Sequence, residues 1–181
     1  MTGGGASGEK IFPSSIDFGD DERWMRLAMA EAKEAGSRGE VPVGCVVVEE
    51  GRILGRGRNR VEELQDPTAH AEILAISAAA GSRGTWRLAG TTAYVTVEPC
   101  TMCMGAFYLA RVARVVYGAP EPKFGACGSR LDLTAVSGLN HTLRVDAGVL
   151  ADEAGELLRD FFRALREGSR GGPGGVGPAS K

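Results

Sequence analysis

The chain has 181 residues, enough for one domain with a sizeable core. Its net charge of −2 argues against a general polyanion-binding protein, because such binding needs an excess of Lys and Arg. The sequence contains no apolar run of the roughly 20 residues that a membrane span needs, and no secretory-signal pattern at its N-terminus. Four cysteines in a chain of this length do not indicate a disulfide scaffold. We therefore expect a cytoplasmic protein without a membrane partner.

Both ends of the sequence are rich in glycine. Residues 3–8 and 168–177 hold much of the total of 27 glycines. Segments of this composition bury too little apolar surface to offset the entropy lost on ordering. We predict a flexible N-terminal extension at residues 1–19, a folded domain at residues 20–167 and a disordered tail at residues 168–181.

Between these ends, hydrophobic periodicity and capping residues predict four helices and five strands. In chain order they are a helix at about 20–35, strands at 41–50 and 52–59, a helix at 66–80, a strand at 91–97, a helix at 99–112, strands at 113–119 and 141–148, and a helix at 154–165. The first strand is almost continuously apolar and β-branched, which is typical of a strand buried on both faces. The order predicts an α/β protein with three layers, α/β/α, around a mixed, mostly five-stranded sheet.

Two of the predicted helices begin with residues suited to metal chemistry. Cys100 and Cys103 have C-x-x-C spacing at a helix N-terminus, where unpaired N–H groups favour thiolates. His70 lies near a second helix start, which we place at Asp66-Pro67 because Asp caps helices and Pro suits the first helical position. If both helix starts adjoin at one sheet edge, they provide three zinc ligands and leave a fourth position for water, as in catalytic zinc sites.

Glu72 adds a base to this predicted site. Zinc lowers the pKa of a water molecule towards about 7, and a neighbouring carboxylate can take the proton of that water. By itself, C-x-x-C is as typical of a redox pair or of half a structural zinc site as it is of a catalytic zinc site. H-x-E by itself is more typical of an ordinary helix start than of a catalytic site. Together, in the order H-x-E…P-C-x-x-C, they form the signature of zinc-dependent nucleobase deaminases.

Further segments resemble the bacterial tRNA-specific adenosine deaminases, over about residues 20–166. They are, in order, EVPVGCVVV, NR, DPTAHAEI, YVTVEPCTMC, RVVYGA, LNH and GVLADE…LLRDFFR. The resemblance implies a cytidine deaminase-like fold, a homodimer, and hydrolysis of the wobble adenosine (position 34) of an arginine tRNA to inosine. It also implies one zinc ion per chain, held by His70, Cys100 and Cys103, with Glu72 as the proton shuttle.

The same resemblance implies contacts with the adenine base. Asn59 matches an asparagine that contacts the purine, and Val41 and Ala71 fall at positions that line the base pocket. The implied partner is the anticodon stem-loop of the tRNA, whose single-stranded loop makes it less costly to extrude a base than from a duplex.

Contacts with the rest of the RNA are predicted at two places. In the segment 118–129, Lys123 matches a family lysine near the tRNA backbone and the flanking nucleotide, and Glu121 replaces the usual aspartate. Phe162 matches an aromatic residue that packs beside the anticodon loop, and we expect the adjacent Arg163 to contact phosphate. Two sets of arginines are candidates for further phosphate contacts. They are Arg56, Arg58 and Arg60 on the second strand, and Arg159, Arg163, Arg166 and Arg170 on the last helix.

Two other functions stay open at this point. One is deamination of free nucleobases or nucleosides, such as guanine or cytosine, on the same fold. The other is a non-catalytic binding protein stabilised by zinc. Glu72 argues against the second, because a structural zinc site needs no carboxylate beside it and closes with a fourth ligand.

Overall fold

The structure is a computed structural model that describes residues 18–170. Its elements are α1 (Phe18–Ser37), β1 (Gly44–Glu49), β2 (Arg52–Arg58), α2 (Val61–Leu64), α3 (Ala71–Arg83), β3 (Thr92–Val97), α4 (Thr101–Ala110), β4 (Arg114–Ala119), a 3-10 turn (Leu133–Ala135), β5 (Arg144–Ala147) and α5 (Ala151–Arg170). Nearly all of the two predicted tails lies outside the described residues, so their flexibility stays a prediction. Within residues 18–170, no helix has both the length and the apolarity that crossing a membrane requires.

The five strands form one mixed sheet in the order β2-β1-β3-β4-β5. Strand β1 runs antiparallel to both β2 and β3, whereas β3, β4 and β5 are parallel to one another. The carboxyl ends of β2, β3 and β4 therefore lie at the same edge of the sheet as the amino end of β1. Loops that leave this edge converge, as in other α/β folds.

Helices cover both faces of the sheet, which confirms the three-layer prediction. Side chains of β1 alternate between two cores: Cys45 and Val47 pack with residues of α3 and α4, and Val46 and Val48 pack with residues of α1. Ala154 of α5 packs beside α1 on this second face. Burial of both faces explains why β1 has no polar alternation in the sequence.

Glycines on β2 allow α3 to lie unusually close to the sheet. A Cβ atom at Gly57 would overlap the backbone of Ala71 and Ala75, and one at Gly55 would overlap the backbone of Ala75 and Ala79. The two glycines alternate with arginines, so they share the face of β2 that meets α3. They hold the first turn of α3 directly against the strand.

The predicted start of α3 is wrong by about five residues. The carboxylate of Asp66 accepts hydrogen bonds from the backbone N and the hydroxyl of Thr68, at 2.8 and 2.7 Å, and so closes a tight turn instead of capping a helix. The helix begins at Ala71, with His70 as its N-cap. Asp-Pro is as typical of turns as of helix starts, and local sequence does not separate the two.

The first helix also begins earlier than the predicted start at about residue 20. The helix begins at Phe18, before Asp21, and Asp21 is buried. Its carboxylate accepts hydrogen bonds from the Tyr94 hydroxyl at 2.8 Å and from both terminal nitrogens of Arg114, at 2.8 and 2.7 Å. Arg114 also donates to Asp146 of β5, at 2.6 Å. Burial alone would raise the pKa of Asp21, but these hydrogen bonds outweigh it and hold the pKa below its usual value.

Candidate metal centre and active site

Three ligand-type side chains meet at the converging edge of the sheet. The Nδ1 atom of His70 lies 3.7 Å from the Cys100 sulfur and 3.5 Å from the Cys103 sulfur. All three ligand atoms lie within 4.8 Å of one another. Zn–S bonds of about 2.3 Å and Zn–N bonds of about 2.0 Å at tetrahedral angles require S···N separations of about 3.5 Å. The predicted ligands therefore converge, and their spacing fits a tetrahedral zinc ion.

Two helix N-termini set this geometry. Cys100 is the N-cap of α4 and His70 is the N-cap of α3, and each has an extended backbone. Their carbonyl oxygens accept the first helical hydrogen bonds, from Met104 at 2.9 Å and from Leu74 at 3.1 Å. Because α3 and α4 pack on the same face of the sheet, the two caps are neighbours. The two helix starts thus adjoin and bring the three candidate ligands together, although α3 begins later than predicted.

The two thiols differ in acidity. A hydrogen bond from the Cys103 thiol, together with interactions with His70 and the Cys103 backbone N–H, lowers the pKa of Cys100 to about 4. The same hydrogen bond to Cys100, and then burial, raise the pKa of Cys103. A metal ion binds thiolates, so binding would displace the proton that the two sulfurs share.

Glu72 lies in the first turn of α3, two residues after His70, and is only 4% exposed. Burial raises the pKa of its carboxyl group, and the carboxyl interacts with the Cys103 thiol. A buried carboxyl group with a raised pKa can carry a proton during part of a reaction cycle. Its position next to the ligand cluster, where the sequence placed it, suits that task.

Asn59 is held by a carboxylate that the sequence analysis missed. The side-chain amide of Asn59 donates to Glu40 at 3.2 Å, and its backbone N donates to Val43 at 3.0 Å. Glu40 is 2% exposed and also accepts the backbone N–H groups of Glu62 and Glu63, at 3.3 and 2.8 Å. The amide nitrogen of Asn59 is thus engaged within the protein, which leaves its carbonyl oxygen as the group able to accept from a ligand.

The residues predicted to line the base pocket lie at the same edge. Ala71 is fully buried as the first residue of α3, between His70 and Glu72. Val41 is partly buried in the segment that enters β1, where its carbonyl oxygen accepts from Val43 at 2.8 Å. Val41 has surface that a pocket beside the candidate ligands can use, whereas Ala71 has no exposed surface in this structure.

A second missed carboxylate, Glu98, organises the loop after β4. It accepts backbone N–H groups from Glu121 at 3.0 Å, Cys127 at 2.8 Å and Ser129 at 3.1 Å. Burial would raise the pKa of Glu98, but an interaction with the Ser129 side chain, together with these backbone hydrogen bonds, outweighs it and lowers the pKa. A Cβ atom at Gly125 would lie 2.5 Å from this carboxylate, so the loop needs glycine there. A charged residue at the end of an apolar strand, in EVPVG and TVEPC, was the available signal for both Glu40 and Glu98.

The residues predicted to contact the RNA outside the base pocket lie in the loop after β4 and on α5, and none of them belongs to the ligand cluster. Glu121 uses its carboxylate to accept the backbone N–H of Lys123 at 2.8 Å, and Lys123 is exposed. Phe162 is 43% exposed on α5, and Arg163 pairs with Asp160 at 2.7 Å. Helix α5 packs on the sheet face opposite α3 and α4, so it does not build the metal centre.

Comparison with known proteins gives consistent relatives. Residues 19–119 match the sequence model of the cytidine and deoxycytidylate deaminase zinc-binding region. The tRNA-specific adenosine deaminase of Bacillus subtilis is 48% identical over 147 residues, covering 81% of this chain and 91% of the relative.

Solved structures agree on the fold. One, from a study of A-to-I editing by tRNA:A34 deaminases at the wobble position of transfer RNA, has a TM-score of 0.73 and 45% identity, over 75% of this chain and 99% of the other. The guanine deaminase from Nitrosomonas europaea has a TM-score of 0.68 at 24% identity, over 87% of this chain and 98% of the other, which shows a shared fold alone.

The fold and the His-Cys-Cys cluster thus define a hydrolytic deaminase with the cytidine deaminase-like fold. Within that class, the chain belongs to the family of tRNA-specific adenosine deaminases.

Proposed function

We propose that the enzyme hydrolyses the wobble adenosine, position 34, of a tRNA to inosine and ammonia, with an arginine tRNA as the substrate. The observation that carries the proposal is the buried carboxyl group of Glu72 beside three converging zinc-ligand atoms, in a chain 48% identical to a tRNA-specific adenosine deaminase. The arginine tRNA rests on the resemblance of the motifs, and the cytoplasm, the expected location, follows from the proposed substrate.

One zinc ion per chain is the cofactor that the donor set fits best. One neutral imidazole and two thiolates, at the separations of a tetrahedron, match zinc better than magnesium or calcium, which prefer oxygen ligands. Zinc held by His70, Cys100 and Cys103 would supply a water molecule of lowered pKa at the fourth position.

Glu72 moves the protons of the proposed reaction. Its carboxylate takes a proton from the attacking water and delivers it to a ring nitrogen of the adenine as the water oxygen bonds to C6. It then assists transfer of a second proton to the departing amino group, which leaves as ammonia. Burial of Glu72 at 4% exposure keeps competing solvent away from these transfers.

Base recognition is assigned to the residues around the ligand cluster. Asn59, held by Glu40, presents its carbonyl oxygen to the purine. Val41 provides a small apolar wall for a flipped-out base, and the buried Ala71 supports the first turn of α3 from below. Because Glu40 fixes the amide orientation of Asn59, the two residues act as one recognition unit.

Contacts outside the base pocket are proposed for the loop after β4 and for α5. Lys123 is exposed and free to reach the RNA backbone, while Glu121 shapes its turn through the 2.8 Å hydrogen bond between them. Phe162 offers an exposed ring for stacking beside the anticodon loop, and Arg163 a guanidinium for phosphate.

The test compares four substrates with the zinc-loaded enzyme: an arginine-tRNA anticodon stem-loop, free adenosine, guanine and cytidine. We expect inosine from the stem-loop and little product from the other three, because the contacts outside the base pocket need RNA. Deamination of guanine, cytidine or adenosine at a rate equal to that of the stem-loop would overturn the tRNA assignment.

The proposal includes a homodimer, which the resemblance implies. Leu109 of α4 and Phe124 of the loop after β4 are 75% and 71% exposed, so a second copy of the chain would cover apolar surface there. Size-exclusion chromatography with light scattering should give about twice the chain mass of 18.9 kDa. A mass equal to a single chain at micromolar concentration would contradict the dimer.

A further inference from the structure

An arginine-lined cavity lies at the outer edge of the sheet, along strand β2. It has a volume of about 230 Å³, and its lining combines strand β2 with one residue each from α1 and α3. The lining residues are Glu31, Arg56, Gly57, Arg58, Arg60 and Leu74. Three arginines and one glutamate line it, so the lining residues carry an excess of positive charge.

The three guanidinium groups differ in how they are paired. Arg60 makes two hydrogen bonds to Glu63, at 2.9 and 2.7 Å, and Arg56 lies 3.8 Å from Glu31. Arg58 has no such partner: among the side chains that the structure describes, its Nε is the buried nitrogen without a hydrogen bond. Arg58 is therefore the group with donor capacity to spare.

A buried N–H group without an acceptor is costly, and such groups in folded proteins are usually satisfied by water, an ion or a ligand. The planar guanidinium fork of arginine matches the two free oxygens of a phosphate group, and Nε and one terminal nitrogen form one side of that fork. The excess positive charge of the cavity selects an anion. The unsatisfied donor, the fork and the charge all point to phosphate.

The cavity is close to the proposed reaction centre. Leu74 lies one helical turn beyond His70 on α3, a rise of about 6 Å, and the two residues share a backbone hydrogen bond. Arg58 and Arg60 flank Asn59, the residue proposed to contact the purine. A phosphate here would belong to the strand that carries the flipped-out base.

We propose that this cavity binds a phosphodiester group of the RNA substrate, next to the nucleotide that enters the active site, with Arg58 as the principal donor. The inference rests on the proposed function for the identity of the phosphate. Arg56 adds charge, and its long separation from Glu31 lets it turn towards the phosphate. Glu31 opposes the binding through its own negative charge.

The test measures the affinity of the zinc-loaded full chain for the anticodon stem-loop over a range of salt concentrations. Arg58→Gln should weaken binding on the order of tenfold and reduce the slope of log K against log salt by about 0.7 to 0.9, the value of one phosphate contact. Arg52→Gln is the matched control, since Arg52 stands at the other end of β2 and outside the cavity. Glu31→Gln should strengthen binding. Equal effects of Arg58→Gln and Arg52→Gln would overturn the proposal.

Stability separates a binding role of Arg58 from a structural one. Replacing a buried donor that has no acceptor should leave the Tm of the RNA-free protein unchanged or raise it, so Arg58→Met should keep or gain thermal stability while it loses RNA affinity. A lower Tm of Arg58→Met with an unchanged salt slope would show that Arg58 serves the fold, and would overturn the proposal.

The proposed function fails if the wild-type enzyme forms no inosine from the stem-loop. A second probe tests the cavity in that case too. Inorganic phosphate is then titrated into the wild-type protein, and the N–H resonances of the arginine side chains are followed by NMR. A saturable shift of the Arg58 Nε resonance that is larger in Glu31→Gln supports a phosphate site for another phosphate ester. No shift at tens of millimolar phosphate would overturn the site itself.

Discussion

At the scale of single residues, three buried carboxyl groups organise the site in two different ways. Glu40 and Glu98, at 2% and 3% exposure, accept backbone N–H groups and hold neighbouring segments in place. Glu72, at 4% exposure, has its pKa raised by burial, whereas hydrogen bonds lower the pKa of Glu98. Environments that separate the pKa values of neighbouring carboxyl groups also separate their roles. Glu72 is suited to exchange a proton, and Glu98 to hold a loop.

The role of Glu72 predicts the effect of replacing it. Glu72→Gln keeps the size and the polarity of the side chain but cannot take a proton, so kcat for inosine formation should fall by at least about 10²–10⁴-fold. Zinc content and Tm should not change, because Glu72 is not a ligand. Glu49→Gln at the end of β1, where Glu49 pairs with Arg83, is the control and should keep full activity. Turnover of Glu72→Gln within tenfold of the wild type would remove the proton-shuttle role.

At the scale of elements, the site depends on how closely α3 approaches β2. Gly57 has no room for a side chain beside the backbone of Ala71, and Ala71 stands between His70 and Glu72. A shift of the first turn of α3 would therefore move His70, a predicted metal ligand, together with Glu72, the predicted proton acceptor. The alternation GRGRN serves two purposes, since its glycines seat a helix and its arginines line the cavity on β2.

Gly57→Ala and Gly81→Ala should act in opposite directions. Gly57→Ala should lower the free energy of unfolding by about 1–3 kcal/mol through overpacking, and should weaken zinc binding. A Cβ atom at Gly81, within α3, meets nothing within 4 Å, so Gly81→Ala should stabilise the protein by up to about 1 kcal/mol. Urea unfolding and zinc titration measure both effects. Unchanged zinc affinity in Gly57→Ala would mean that the position of α3 does not control the ligands.

The attachment of α1 to the sheet should depend on pH through Asp21. The pKa of Asp21 lies below its unfolded value of 3.8, so its contribution to stability is complete above that value and disappears as pH falls through the folded pKa. At pH 7, Asp21→Asn should cost on the order of 2–3 kcal/mol, because it weakens the hydrogen bonds with Arg114. The difference between Asp21→Asn and the wild type, measured by urea unfolding, should shrink at acid pH. A difference that stays constant from pH 7 to pH 3 would contradict this account.

At the scale of the whole molecule, the candidate metal ligands come from two separate strand–helix units. His70 follows β2 and α2, whereas Cys100 and Cys103 follow β3. A metal that binds only the folded chain stabilises it by about 4 kcal/mol when its concentration is 1,000 times Kd. Zinc should therefore contribute to the stability of the domain as well as to the reaction.

Removal of the metal should lower the Tm, because the folded chain then loses the stabilising free energy of metal binding. Addition of a chelator should reduce the Tm of the wild type and of Glu72→Gln by similar amounts, because both keep the three ligands. Cys100→Ala should purify without zinc and show almost no change in Tm on chelation. Differential scanning calorimetry and metal analysis provide the measurements. Wild-type protein that contains no zinc after purification with zinc in the medium would contradict the cofactor assignment.

The elements that could be predicted are those with a strong local pattern. The buried strand β1 is evident from its continuous apolar sequence. The spacing of Cys100 and Cys103 and the pair His70 and Glu72 indicate the candidate metal ligands and the candidate proton shuttle. The start of α3 could not be predicted in this way, since the Asp66 turn and a helix cap use the same residues. Helix α2, only four residues long, has no periodicity to detect.

The sequence alone indicates the chemistry of this protein: the residue types of the candidate metal centre, the carboxyl group beside it, and the order of strands and helices that brings them to one edge. The hydrogen bonds and the burial that hold these groups in place are evident only in the folded chain. The backbone N–H groups that Glu40 and Glu98 accept lie more than 20 residues away along the chain. The Nε atom of Arg58 has no hydrogen bond, because no acceptor from another described segment lies within reach. The identity of a residue fixes which functional group it has. Its burial and its hydrogen bonds depend on segments that are distant in sequence and meet only in the folded chain.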